Sequence, residues 1–168
     1  MNLPLEGIRV LESAHQYPGP YCGMLLADMG AEVIKVERPD GGDPARQFSL
    51  FFQSINRNKK SVTLDFKVPA AREILYRLAA QADVFTEGFR PGVASRLGLD
   101  YPTLEKVNPR LIYCSISGYG QAGPYRDRPG HDLNYQAATG MLGSFKDREG
   151  NLVTPGVAIG DLSSGMSV

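Results

Sequence analysis

Two short segments near the end of the chain set a histidine and an aspartate among glycines. His131 follows Gly130 in the segment Pro-Gly-His-Asp-Leu-Asn-Tyr, and Asp161 follows Gly160 in the segment Ile-Gly-Asp-Leu-Ser-Ser-Gly. An imidazole and a carboxylate can exchange protons with a substrate, and a carboxylate can also attack an acyl carbon. We therefore expect acid–base or acyl-transfer chemistry at His131 and Asp161. The structural alternative is that Asp161 only caps a helix beginning at Leu162.

The composition describes an ordinary globular chain and excludes several functions. The chain has 168 residues, of which 42% are hydrophobic, and its 18 basic residues balance 18 acidic ones. Because the charges are spread evenly, we expect no nucleic-acid or membrane partner. The sequence has neither an apolar signal segment nor a membrane-length apolar run, so we predict a cytoplasmic protein. Two distant cysteines and scattered acidic and imidazole groups predict no disulfide and no metal site.

Strands and helices alternate along most of the sequence. This pattern predicts a Rossmann-like α/β fold with a mainly parallel sheet and helices on both faces. Ligands of such sheets bind beyond the carboxyl ends of the strands. The predicted strands are 8–12, 31–36, 61–66, 83–86 and 111–117, and the predicted helices are 21–29, 69–82, 93–97, 102–107 and 133–142.

A glycine motif after the last predicted strand resembles a dinucleotide-binding fingerprint. Gly118, Gly120 and Gly123 match G-x-G-x-x-G, but Pro124 follows at once. The fingerprint needs a helix to begin at its third glycine, whereas this sequence continues as a loop. We therefore expect no nicotinamide or flavin cofactor, and a nucleotide-dependent oxidoreductase is a weak alternative.

Basic residues follow several predicted strands. Arg38, Lys67, Arg90 and Arg96 would approach one rim of a parallel sheet, where guanidinium groups suit phosphate and Phe89 suits a purine ring. The alternative is that these are ordinary solvated surface charges.

Four segments, in chain order, carry a family resemblance: 30–39, 58–65, 87–92 and 160–166. Together they resemble the family III CoA-transferases of the CaiB/BaiF type. This family includes formyl-CoA transferase, the carnitine CoA-transferases and alpha-methylacyl-CoA racemase. The resemblance implies coenzyme A as a co-substrate, with acyl-CoA and a carboxylic acid acceptor as partners.

The resemblance also assigns roles to individual residues. By similarity, Asp161 is the carboxylate that attacks the acyl-CoA thioester to give a mixed anhydride and CoA thiolate. The residues that would contact CoA are His15, Gln16, Tyr17, Arg38, Leu64, Lys67, Gly88, Phe89, Arg90 and Arg96.

His131 leaves two reactions open. The segment from Gly130 to Tyr135 matches the Gly-His-Asp-(Ile/Leu)-Asn-Tyr motif of the racemases, in which the histidine acts with the aspartate on a 2-methylacyl-CoA. The segment Leu-Ser-Ser-Gly-Met after Asp161 instead resembles the transferases. We weigh the two reactions nearly evenly, with racemisation slightly favoured by the histidine motif. Asp132 either orients His131 or caps the helix that follows.

Members of this family are longer than this chain. We therefore interpret residues 1–168 as the N-terminal part of the CoA-binding large domain, an incomplete fold without its linker and small domain. The resemblance implies an interlocked homodimer, and it predicts that the fragment alone is inactive. A non-catalytic CoA-binding fragment is the further alternative.

Overall fold

The computed structural model describes residues 3–168 and contains one five-stranded parallel sheet. In spatial order the strands are β3, β2, β1, β4 and β5. Because the chain leaves β1 toward β2 on one side and later returns to pair β4 on the other, a crevice forms at the carboxyl end of β1. The strand bounds are β1 Arg9–Ser13, β2 Glu32–Glu37, β3 Lys59–Thr63, β4 Val84–Glu87 and β5 Ile112–Ser115.

Seven α-helices connect and follow these strands in residues 3–168. They are α1 Pro18–Asp28, α2 Ser49–Asn56, α3 Pro69–Ala79, α4 Val93–Leu97, α5 Tyr101–Val107, α6 Asp132–Ala138 and α7 Ile159–Met166. Two short 3₁₀ helices lie at Pro44–Gln47 and Met141–Ser144. The predicted Rossmann-like α/β fold is confirmed.

Several predicted boundaries were wrong for physical reasons. The sequence pattern did not predict α2. The predicted β3 began too late, because Lys59 and Lys60 resemble surface loop residues although each pairs with a carboxylate on another segment. The predicted helix 133–142 is shorter, because Gly140 adopts a left-handed conformation with φ of 79° just after α6.

Side chains alternate between the two faces of the sheet and bury a hydrophobic layer on each. Leu11 and Phe85 pack on one face in a core cluster that includes Leu75 of α3. Val10 and Val33 pack on the opposite face in a cluster that includes Ala27, from the end of α1. Successive residues of a strand point to opposite faces, so one short apolar strand serves both layers.

A buried network of charges lies beside β1 and β2. The Lys35 Nζ atom donates to Glu12 Oε1 at 2.9 Å and to the Ala14 carbonyl at 2.8 Å, and it pairs with Asp43 Oδ2 at 2.9 Å. The Lys59 Nζ atom holds the other Glu12 oxygen at 2.8 Å. Charges removed from water need such complete pairing, so the network fixes the chain just after β1.

Other features of the described residues bear on function class. Residues 3–168 include no helix with both the length and the apolar character needed to span a bilayer. Within the same range, histidine, cysteine and acidic side chains form no group of three or more suited to a metal ion. Cys22 and Cys114 are free thiols, and burial raises the pKa of Cys22 to about 11, which makes this thiol unreactive at neutral pH.

Candidate functional site

A cavity of about 540 Å³ lies beyond the carboxyl ends of β1, β4 and β5. Its walls come from the loops after these three strands and from the first turns of α6 and α7. This is the rim of the sheet at which ligands of parallel α/β folds bind. The cavity is therefore the candidate active site.

The cavity brings together most of the residues that the sequence analysis selected. Residues separated by well over a hundred positions in the chain meet here because the strand ends share one rim. Those lining the cavity are His15, Gln16, Tyr17, Gly88, Phe89, Arg90, Arg96, His131 and Asp161.

Three of the selected residues lie outside the cavity lining. Arg38 follows β2, and its Nε atom donates to the Gly42 carbonyl at 3.0 Å. Leu64 belongs to the hydrophobic core and is only 7% exposed, while Lys67 is exposed in the turn after β3. The strands before these residues, β2 and β3, lie on the side of β1 away from β4. Contact of Arg38, Leu64 and Lys67 with CoA stays a prediction.

The loop after β1 is held in an uncommon backbone conformation. Gln16 has a φ of 67°, in the left-handed region that non-glycine residues rarely adopt. Its backbone N–H donates to the two carboxylate oxygens of Asp43 at 3.0 and 3.2 Å. Asp43 also pairs with Lys35. The buried charge network therefore supports the conformation of the cavity wall.

His15 presents a neutral imidazole at this wall. Burial, followed by the nearby Lys35 charge, lowers the pKa of His15. Its Nε2 atom is buried and has no hydrogen-bond partner among the described residues. Since buried polar atoms in proteins are almost always bonded, Nε2 fits a group that a ligand would supply.

Tyr17 is supported by the helix that the sequence analysis missed. Its ring packs edge-on against Phe51 of α2, with ring centroids 4.9 Å apart, and against Tyr21 of α1 at 6.2 Å. The apolar run of Leu50, Phe51 and Phe52 was a signal that could have identified this helix. The segment between β2 and β3 thus helps to shape the cavity.

A buried glutamate shapes the wall after β4. The Glu87 carboxylate accepts a hydrogen bond from the Phe89 backbone N–H at 2.6 Å and is also bonded by the Ser115 hydroxyl. Burial raises the pKa of Glu87, although both hydrogen bonds act in the opposite direction. Glu87 therefore fixes the turn that carries Phe89 and Arg90 into the cavity.

Four arginines line the cavity, and two of them were not selected from the sequence. Arg126 and Arg128 come from the loop after β5 and join Arg90 and Arg96. The Arg126 Nε atom donates to the Gln121 carbonyl at 3.1 Å, and the Arg128 guanidinium stacks over the Tyr125 ring at 4.0 Å. Such a lining suits phosphate or carboxylate groups. The Arg-Asp-Arg sequence from 126 to 128 was the signal that could have identified these two arginines.

Asp161 lies in the first turn of α7 and is half-buried in the cavity wall. Burial, then the nearby Asp132 carboxylate, raises the pKa of Asp161, whereas His131 acts to lower it. The helix begins at Ile159 and its N-cap residue is Ala158, so the expectation that Asp161 caps a helix starting at Leu162 was wrong. The side chain of Asp161 is available for chemistry.

The Asp132 carboxylate of α6 is hydrogen-bonded to the backbone of α7, the helix that carries Asp161. Its Oδ1 atom accepts hydrogen bonds from the backbone N–H groups of Gly160 at 2.7 Å and Asp161 at 3.1 Å. From the sequence, Asp132 was expected either to orient His131 or to cap the helix that follows it. The hydrogen bonds from α7 to Asp132 were not predicted. The contact spans 28 and 29 residues of sequence, which no local pattern reveals.

His131 is the N-cap residue of α6 and lines the same cavity as Asp161. Its backbone N–H donates to Asn134 Oδ1 at 2.9 Å, which fixes the start of the helix. The glycine motif from Gly118 to Gly123 lies in turns, and the next helix begins only at Asp132. The structure therefore lacks, among its described residues, the strand–glycine–helix context of a dinucleotide fingerprint.

Comparison with known proteins identifies the family. The model of CoA-transferase family III matches residues 5–168, and the chain belongs to this family. A CaiB/BaiF family protein from Brucella suis superposes with a TM-score of 0.93 at 40% identity, covering 99% of this chain and 47% of that protein. A crystal structure of the Mycobacterium tuberculosis protein Rv3272 superposes with a TM-score of 0.90 at 44% identity, covering 98% and 47%.

Curated relatives are named as CoA-transferases of different acids. The chain is 44% identical to succinyl-CoA:glutarate CoA-transferase from Mus musculus, over 97% of this chain and 39% of the relative. It is 41% identical to formyl-CoA:oxalate CoA-transferase from Rhodopseudomonas palustris, over 99% of this chain and 41% of the relative. The chain thus spans about two fifths of the length of these relatives.

Proposed function

We propose that this chain carries the CoA-binding part of an enzyme that transfers coenzyme A between carboxylic acids, with Asp161 as the nucleophile. The observation that carries the proposal is that Asp161 lines one cavity together with seven of the ten residues selected for CoA contact. The names of the curated relatives support transfer over racemisation. The nearly even weighting of transfer and racemisation that came from the sequence therefore shifts toward transfer.

The first chemical step uses the Asp161 carboxylate. One of its oxygens attacks the thioester carbonyl carbon, the carbon–sulfur bond breaks, and CoA leaves as a thiolate, which gives an aspartyl-acyl anhydride. The thiolate then attacks the Asp161 carbonyl carbon of the anhydride, which releases the donor acid and leaves an aspartyl-CoA thioester. The acceptor carboxylate attacks this thioester, displaces the thiolate and forms a second anhydride. The thiolate finally attacks the acyl carbon of the acceptor, which gives the new acyl-CoA and returns Asp161 as a free carboxylate. The step needs neither a redox partner nor a metal to balance.

The cavity lining supports dicarboxylic acids as the exchanged group. Relatives are named for succinate with glutarate, for succinate with L-malate and for formate with oxalate, so at least one acid of each pair carries two carboxylates. Arg90 and Arg96 are the arginines selected for CoA contact, and Arg126 and Arg128 add positive charge to the same lining, where Arg126 also pairs with Asp127 at 3.1 Å. We propose that part of this charge binds the second carboxylate of the acid.

Racemisation of a 2-methylacyl-CoA is the second candidate. One observation favours it: His131 and Asp161 line the same cavity, as two groups that act on opposite faces of a substrate carbon would. In this reaction one group removes the α-proton and the other returns a proton to the opposite face.

One experiment separates the candidates. The full-length enzyme proposed to contain this chain is incubated in deuterated water with a 2-methylacyl-CoA, and in a second reaction with succinyl-CoA plus glutarate. Mass spectrometry follows the products of both reactions. Transfer predicts glutaryl-CoA formation that Asp161→Asn abolishes and no deuterium at the α-carbon. Racemisation predicts α-deuteration that His131→Ala abolishes. Asp147→Asn, outside the cavity lining, is the matched control and should leave either activity unchanged.

Three further proposals come from the sequence analysis. An interlocked homodimer and a cytoplasmic location stay predictions, as does the assignment of residues 1–168 to the N-terminal part of the CoA-binding domain. A non-catalytic CoA-binding fragment would bind CoA in calorimetry without turning over any thioester. Full turnover by the isolated 168-residue chain would contradict the prediction that the fragment alone is inactive.

A further inference from the structure

We propose that Asp132 is a positioning residue that fixes Asp161 relative to His131 by joining the first turns of α6 and α7. This inference rests on the proposed function, because it concerns the placement of the nucleophile. It concerns the chain's own backbone and carboxylates and needs no bound substrate.

The first turn of α7 has no cap of its own. Its N-cap residue, Ala158, has no side chain that can accept a hydrogen bond from the free N–H groups of the turn. Asp132 supplies that acceptor from a distant part of the chain through bonds of 2.7 and 3.1 Å to the N–H groups of Gly160 and Asp161. The backbone of the nucleophile is therefore held directly.

The same carboxylate is anchored in α6, next to the histidine. Asp132 directly follows His131 and is the first residue of α6. Its second oxygen accepts a hydrogen bond from Gln136 Nε2, one turn later, and Gln136 is only 2% exposed. Both carboxylate oxygens are thus occupied, one toward each helix. A shift of α6 would displace Asp161 together with His131.

Gly160 packs closely against the Asp132 carboxylate. A Cβ atom added to Gly160 would lie 3.0 Å from Asp132 Oδ1, closer than nearly all real Cβ contacts. The glycine before the nucleophile therefore permits the approach of the Asp132 carboxylate. This explains, in physical terms, why the Gly-Asp pair suits this position.

Asp132 also brings a negative charge to Asp161, and this charge can be separated from its capping role. The titratable groups facing Asp161 are Asp132 and His131 from the α6 side, Tyr135 within α6, and Tyr17 before α1. Replacing Asp132 by asparagine keeps the Oδ1 acceptor for α7 and removes the charge, and the new Nδ2 group can donate to Gln136 Oε1, which has no hydrogen-bond partner among the described residues. Replacing it by alanine removes both.

Two variants of the complete polypeptide test the proposal. We expect Asp132→Ala to reduce kcat by about 10- to 100-fold while the KM for acyl-CoA stays within about threefold, since misplacing a reacting group by about 1 Å can cost a hundredfold. Asp132→Asn should restore most of the rate at neutral pH. Its pH–rate profile should lose activity at a lower pH than the wild type, because the Asp161 pKa falls when the neighbouring charge is removed.

A direct titration of Asp161 keeps the test independent of turnover. Carbon-13 NMR of the Asp161 carboxyl, assigned by its loss in Asp161→Asn, should show a lower pKa in Asp132→Asn than in wild type. Asp147→Asn is the matched control, because Asp147 likewise accepts backbone N–H bonds, from Glu149 at 2.9 Å and Asn151 at 2.8 Å, and does not line the cavity. This control should change neither the rate nor the titration.

The outcomes are distinguishable. Wild-type kcat in Asp132→Ala would overturn the positioning role, and an unchanged Asp161 pKa in Asp132→Asn would overturn the charge coupling. Full CoA-transfer activity in Asp161→Asn would overturn the proposed function, while the titration would still report whether Asp132 and Asp161 are coupled. If Asp132→Ala does not fold, amide hydrogen exchange in the wild type decides the question, because unprotected N–H groups at Gly160 and Asp161 would overturn the positioning role.

Discussion

Replacing Lys35 by methionine should strongly destabilise the protein. Lys35 and its partners Glu12 and Asp43 have side chains at most 2% exposed, so water cannot compensate for a lost charge. In Lys35→Met, Glu12 keeps its contact with Lys59, but Asp43 loses its only lysine partner described here. The methionine retains the volume of the side chain, so the effect reports the charge.

The expected loss is about 3–5 kcal/mol, the cost of leaving one member of a buried ion pair without its partner. For a chain of this size that corresponds to a decrease in Tm of roughly 6–20 °C. Lys60→Met is the matched control. Lys60 lies on the neighbouring strand and pairs with Glu32, but its side chain is 70% exposed. An exposed pair contributes about 0–1 kcal/mol, so this variant should resemble wild type.

Thermal and urea unfolding of the two purified variants measure the difference. Adding Asp43→Asn to Lys35→Met should recover part of the loss, because it removes the unpaired charge. Equal stabilities of Lys35→Met and Lys60→Met would refute the reasoning. A second readout is local: proteolysis or hydrogen exchange at residues 15–17 should increase, since Asp43 holds the Gln16 backbone.

Two further predictions concern pH and helix packing. Burial acts to raise the pKa of Glu37, but hydrogen bonds from Arg46, Ser61 and the Asp43 backbone lower it from 4.5 to about 2. Its stabilising effect is therefore complete above about pH 4.5 and is lost as the pH falls toward 2, so Glu37→Gln should show a smaller loss of stability across that interval in acid denaturation. Gly165→Ala should destabilise by about 1–3 kcal/mol and lower activity, because the new Cβ would lie 2.6 Å from the Pro18 carbonyl oxygen and push α7 away from α1. Gly143→Ala, with no atom within 4 Å of its Cβ, should be neutral in the same unfolding assay, and equal effects of the two alanines would contradict the packing argument.

The strand–helix alternation was readable because each strand carries apolar residues for both faces of the sheet. Val10 and Leu11 pack on opposite faces, and such short apolar runs are typical of parallel strands. The burial of the charged residues could not be predicted from the sequence. Lys35 is fully buried beside Glu12, which lies 23 residues away in the sequence. Lys59 pairs with the same glutamate across 47 residues of sequence. No local pattern distinguishes these lysines from surface ones.

The candidate site was predicted in part for a similar reason. His131 and Asp161 lie in glycine-bounded segments whose residue types suggest chemistry by themselves. The residue types around Arg126 and Arg128 do not suggest a site in this way. Their place in the cavity lining depends on how the long loop after β5 folds back over the strand ends. The bond from Asp132 to α7 depends on tertiary packing alone. Chemistry was thus visible in single segments, whereas the relative placement of segments required the fold.

The central place of β1 also governs the order in which the sheet can assemble on the ribosome. Once β2 and β3 have emerged, three strands can pair, but the other edge of β1 waits for β4. The ribosome must add the 24 residues from Leu64 to Glu87 first, which takes about 1–5 s at roughly 5–20 residues per second. During that interval the nascent chain exposes an unpaired row of backbone donors and acceptors beside Leu11, an edge that chaperones would need to shield.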